Sequence, residues 1–118
     1  MKYVCLVYGE EEDLYAMSPE RLARLDADSL AYDKSVEQSG RLIIAQALQS
    51  VKSAKTVRRR KGKRLITDGP FAETKEQLLG FVMIEAGDID EALEIAGGIP
   101  LAEIGMIEVR AIYNVPGS

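Results

Sequence analysis

The sequence predicts an α+β domain in which two helices and four strands share one core, with a strand pair inserted between the halves. Three observations predict it. Two segments carry helix signals at both ends, one opening at Ser18-Pro19-Glu20 and one at Asp88-Ile89-Asp90-Glu91. Four apolar runs of strand length flank those helices. A fifth region, rich in Lys and Arg, folds back on itself around Lys61-Gly62. A chain of 118 residues has the size of a single domain spanning 1–118.

Taken in order, Lys2 to Tyr8 is continuously apolar after Lys2, as in an inner strand covered on both faces. Strand alternation puts Tyr3, Cys5 and Val7 on one face and Val4, Leu6 and Tyr8 on the other. Tyr8, at the strand's end, is placed to present its hydroxyl at a cavity mouth or to serve as a core tyrosine with a wet tip. Glu10-Glu11-Glu12-Asp13 reads as a solvated acidic loop. Ser18 is the N-cap of the first helix, and Pro19 fits its first position. The helix is expected to run to about Ser39, with Gly40 just beyond its end. Its inward stripe is Leu22, Leu25, Ser29, Tyr32 and Val36. Ser29 is the polar break in that stripe. Its hydroxyl either bonds back to the preceding turn or faces a space between helix and sheet.

Arg41 to Leu48 is the second strand, again apolar enough for burial. The hairpin follows, Lys55–Arg60 and Lys63–Thr67. Leu79 to Ala86 is the next strand, with Leu79, Phe81 and Met83 on one face and Gly80, Val82 and Ile84 on the other. Gly80 marks a close approach of another backbone. Asp88 and Glu91 have capping spacing, and Gly97-Gly98 with Pro100 end the second helix. Ile107 to Tyr113 is the last strand, with Ile107, Val109, Ala111 and Tyr113 inward. Without the hairpin the order is βαββαβ, the split-βαβ or ferredoxin-like pattern. Both helices then cover one face of an antiparallel sheet. The other face also carries apolar residues, and a second subunit's sheet is the simplest cover.

The most distinctive stretch runs from Thr67 to Phe81. Pro70 fixes its own φ and restricts Gly69. An Asp in a turn usually bonds the N–H two residues on, but here that residue is Pro70, which has none. Asp68 must therefore find a later N–H, water, a cation or a ligand. Two roles fit it: a turn residue, or a carboxylate facing a cavity as acid, base or ligand anchor. Thr74-Lys75-Glu76-Gln77 has capping-box spacing and predicts one helical turn, with Phe71 as a plug against the core.

The run Asp68-Gly69-Pro70-Phe71-Ala72-Glu73-Thr74-Lys75-Glu76-Gln77 resembles the signature of the DGPF subgroup of YCII-related proteins. The start of the chain and the Ser18-Pro19-Glu20 helix opening are similar too. The resemblance implies a ferredoxin-like fold assembled as a dimeric α/β barrel. It implies little about activity, although one related branch dehydrohalogenates chlorinated muconolactones. By analogy Asp68 and Ser29 are the candidate catalytic residues, with Tyr8, Tyr32 and Phe71 lining a substrate site. A histidine commonly occupies the helix position of Ser29 in that family, before a motif like Ala31-Tyr32-Asp33. This chain has no histidine, so imidazole chemistry is not open to it. Association with sigma-factor systems, also implied by the resemblance, gives the alternative of a non-catalytic binding or regulatory module.

Composition narrows the classes further. Net charge is −4, which gives no global case for nucleic acid. Yet Lys52 to Arg64 holds eight of the fifteen basic residues. No aromatic is interleaved there to stack bases, so the region reads as a charged, solvated hairpin or as an anion or acidic-partner contact, the chain's own acidic residues within a dimer being one such partner. One cysteine and no histidine make a metal site improbable, and no cofactor motif is present. No membrane span or signal-length apolar segment precedes the first strand, which fits a cytoplasmic protein.

Overall fold

The chain, described over residues 1–118 by a computed structural model, begins with strand β1 (Lys2–Gly9) and a short helix α1 (Glu11–Tyr15). Helix α2 (Pro19–Gln38) and strand β2 (Leu42–Ala47) follow. A 3₁₀ turn, Val51–Ser53, leads into β3 (Lys55–Arg60) and β4 (Lys63–Asp68). Strand β5 (Gln77–Glu85), helix α3 (Ile89–Gly97), a second 3₁₀ turn (Pro100–Glu103) and β6 (Met106–Ala111) complete the chain. The main sheet has the order β2-β5-β1-β6 with antiparallel neighbours. This is the ferredoxin-like α+β fold, with the β3–β4 hairpin forming a separate two-stranded sheet.

Local signals explain the helix limits. The Ser18 side chain accepts from the Arg21 N–H at 3.2 Å, and Gly40 takes φ +80° past the end of α2. Asp88 accepts from the Glu91 N–H at 2.9 Å. Val36 of α2 and Ala92, Ile95 and Ala96 of α3 meet Tyr3, Cys5, Val7, Val82 and Ile84 of the two central strands. Both helices therefore cover one face of the sheet, as the pattern required. Cys5 is wholly buried there, and burial pushes its thiol up to about 11 from 9.0. At pH 8 the native protein should react with iodoacetamide about 100-fold more slowly than the urea-unfolded chain, from thiolate fraction alone. Labelling followed by mass spectrometry checks this, and equal rates would show Cys5 to be accessible.

Four expectations need correction. The acidic run is not a free loop, because Glu11, Glu12 and Asp13 form the first turn of α1, where their charge suits the helix N-terminus. The Thr74–Gln77 turn is not helical. Gln77 instead opens β5 opposite Gly9, and its side chain donates to the Thr74 carbonyl. Leu79 packs on the helix side, not with Phe81, because the β1–β5 register shifts between Val7 and Tyr8. Tyr113 lies past the end of β6 and is 75 % exposed.

The second strand also departs from its reading. β2 is an edge strand, so Ile43, Ile44 and Leu48 stay in contact with solvent despite their apolar character. Gly80 does mark a close approach: a Cβ there would lie 2.6 Å from the Gln46 carbonyl oxygen of β2. The face away from the helices carries Val4, Leu6 and Tyr8 beside Phe81 and Met83, flanked by Ile44 and Gln46 on β2 and by Met106, Glu108 and Arg110 on β6. Nothing in the chain covers this face. The molecule is accordingly a slab of 47 × 45 × 18 Å, about one helix layer on one sheet layer.

Candidate functional site

The predicted site residues fall on three parts of the molecule. Asp68 ends β4 at the base of the hairpin, paired across the ladder with Lys55. Its carboxylate accepts from the Lys55 ammonium at 2.6 Å, and its side chain is 88 % exposed. Pro70 offers no N–H, so the carboxylate turns to a cation, one of the partners the sequence left open. The turn itself is pinned by its backbone. The Gly69 N–H donates to the Ala54 carbonyl at 2.7 Å, and the Thr56 hydroxyl donates to the Gly69 carbonyl at 2.9 Å. Gly69 takes φ +89°, which a side chain would oppose.

Phe71, two residues on, is not a core plug. It is 81 % exposed, because the segment leaves the hairpin along the outside instead of turning into a helix over the sheet. Tyr8 lies at the register shift in β1, half-buried on the uncovered face, opposite Leu78 and Met106.

Beside Tyr8, the acidic run acts as a buckle. The Glu11 carboxylate accepts from the Ser50 hydroxyl at 3.2 Å and from the Val51 N–H at 3.1 Å. The Glu11 N–H in turn donates to the Gln77 side chain at 3.0 Å. Glu10 pairs loosely with Lys75 at 3.9 Å. One short helix thus ties the hairpin's approach and the end of the signature segment to the end of β1. No local signal announces this, since the partners lie 39 to 66 residues away.

The third part is on α2. Ser29 is half-buried on the inward stripe. Asp33, one turn later on the same side, is half-buried as well, and burial pushes its carboxyl above the ordinary value. Asp33 belongs with the candidates although it was read only as part of a motif. Its i, i+4 relation to Ser29 was the available signal. Tyr32 serves a different end. Its hydroxyl donates to the Ile95 carbonyl at 2.6 Å, and its ring fills the space over Gly98 where a Cβ would stand. Burial first, then the charges of Cys5 and Glu94, push its ionisation upward. Tyr32 is a clasp between α2 and α3, with its proton committed.

The Glu11 buckle ties the segments around Asp68 and Tyr8, but no hydrogen bond or ion pair joins the Asp68, Tyr8 and Ser29 side chains to one another. A groove of about 630 Å³ opens beside the third part, between α2 and the second 3₁₀ turn. It is rimmed by Arg21, Arg24, Asp28 and Glu103, opposite charges on exposed side chains, and of the predicted residues it includes only Tyr32. No group of three Cys, Asp or Glu side chains is arranged to hold a metal ion. No helix is long and apolar enough to cross a membrane.

Comparison with known proteins fits this geometry. The chain is 39 % identical over 121 residues to "Uncharacterized protein R00369" of Rhizobium meliloti (strain 1021), a match covering 99 % of this chain and 97 % of that protein. A family model described as the YCII-related domain matches residues 1–116. With the two-layer fold, the signature turn and a match from end to end, the chain belongs to the YCII-related family.

Proposed function

We propose that this protein acts as a homodimer that holds a small organic ligand between two apposed sheet faces, with Asp68 as the carboxylate that meets the ligand. The observation that carries the reading is the uncovered apolar face of Val4, Leu6, Tyr8, Phe81 and Met83. A face of this kind on a slab 18 Å thick is half of a core. Two such faces leave their central residues buried and their ends open, which is where ligand sites form in sheet proteins.

Asp68 in its present surroundings is solvated and paired to Lys55. A carboxylate is a more useful proton acceptor where ligand and second subunit exclude water from it. In that state, proton abstraction next to a carbonyl is the step it suits, as in the muconolactone-processing relatives. The same arrangement without turnover is a ligand-binding module.

Thermal shift of wild type and Asp68→Asn against lactones, small organic acids and phosphorylated metabolites tests the reading. A ligand at 100 times its dissociation constant should add about 2.7 kcal/mol to wild type. Asp68→Asn should keep the unliganded Tm, because the lost ion pair is exposed, and should lose or strongly weaken the ligand shift. Turnover lost with binding retained in the variant identifies an acid–base role. A ligand shift equal in both proteins removes Asp68 from the site.

A further inference from the structure

We infer that the β3–β4 hairpin is an arm that crosses to a second copy of the chain and docks its basic tip, around Arg60 to Lys63, on that copy's acidic body. This inference rests on the dimeric reading above and adds the direction in which the arm acts.

The first observation is that the arm has no place in its own chain. It is a regular six-residue ladder, Lys55 to Arg60 against Lys63 to Asp68, standing apart from the main sheet. A two-stranded hairpin alone in water is marginal. This one also exposes Val57 at 63 %, Ile66 at 53 % and Leu65 at 49 %, with Phe71 beyond its base. Val57 and Ile66 stand directly opposite each other, which makes an apolar step across one face of the arm. The extended arm helps raise the radius of gyration to 16.3 Å, against about 13.5 Å for a compact chain of this length.

The second observation is charge. Lys52 to Arg64 holds eight basic residues and no acidic one, so it carries +8. The remaining residues hold the other seven basic and all nineteen acidic, a net of −12. A body this acidic attracts an arm this basic, and a second copy supplies that body at fixed stoichiometry. Each strand of the arm reaches about 20 Å at strand rise, enough to span the 18 Å thickness of a protomer.

The test uses the full-length protein. Lys63→Cys, beside the turn of the arm, is labelled with a benzophenone maleimide; the wholly buried Cys5 is spared. The labelled chain is mixed with excess ¹⁵N wild type, allowed to exchange and irradiated. Cross-linked peptides are then assigned by mass. The expected product joins the probe to a ¹⁵N peptide of the second copy's acidic body, outside residues 52–64. Arg58→Glu/Arg59→Glu/Arg60→Glu, with far-UV dichroism confirming that it is folded, should raise the dimer dissociation constant about 100-fold at low salt. A light-scattering dimer whose cross-links stay within one chain overturns the crossing arm and leaves the dimeric pocket standing. A wild-type monomer overturns both. A dimer indifferent to the triple variant, or an arm that cross-links only when heparin is added, overturns the inference in favour of a surface for another acidic partner.

Discussion

Ile84→Ala should lower the unfolding free energy by about 4 kcal/mol. Ile84 is fully buried on the central strand β5, opposite Tyr3 of β1 and Leu42 of β2. Its neighbours are held by ladders on both sides, so the cavity left by three missing carbons has little room to collapse. The core around it is small, eleven residues, nine of them from α2, α3 and the two central strands, with Ala86 and Ile99 from the segments just beyond β5 and α3. With a urea m-value of about 1.5 kcal/mol/M, the midpoint should fall by more than 2 M. Both proteins must be compared at one concentration, because association adds to apparent stability. A loss below 1 kcal/mol would mean that the stabilising core lies elsewhere.

Gly105→Ala should cost about 3 kcal/mol and should also disturb Tyr8. Gly105 lies between the second 3₁₀ turn and β6, where the chain passes over the end of β1. A Cβ there would fall on the Tyr8 carbonyl oxygen and stand 3.3 Å from the Gly9 Cα. Both obstacles are backbone, so no rotamer change relieves them. The cost is overpacking rather than conformational freedom, because Gly105 is not among the positive-φ glycines. The control is Gly97→Ala in α3, where a Cβ meets nothing within 4 Å. That change should be neutral or stabilising by up to about 1 kcal/mol. Denaturation of the three proteins, with the Tyr8 environment followed by NMR, checks the pair. Equal stability of Gly105→Ala and wild type would show that β6 moves aside freely.

The fold was legible because its signals are local. Ser18 and Asp88 name their helices, Gly40 ends one, and Lys61-Gly62 turns the hairpin with both residues at positive φ. Alternation along β1 separated Tyr3, Cys5 and Val7 from Val4, Leu6 and Tyr8 as the structure does. What was not legible depended on contacts across the chain. Leu79 changed face because of a one-residue shift opposite Tyr8. Gln77 left a capping box because Glu11 and Thr74 use its amide. Ile43 and Ile44 read as core because their composition suits burial, but a strand's place at the edge is set by the order of the sheet. The candidate site was legible at Asp68, where Pro70 restricts the bonding. It was not legible at Phe71, whose surroundings depend on where the segment goes next.

The sheet order has a consequence for how the chain is made. β1 leaves the ribosome first, yet its neighbours are β5 and β6, and the pair Lys2 and Glu85 closes a loop of more than eighty residues. Neither ladder of β1 can form while the helix, the hairpin and most of the second half are still being synthesised. Chains dominated by such distant pairings fold slowly, and an apolar strand that waits for its partners is open to the wrong ones. The ladders of β1 therefore form only after β5 and β6 have been made. Until then the Tyr3 to Tyr8 strand depends on dilution or on chaperones to stay single.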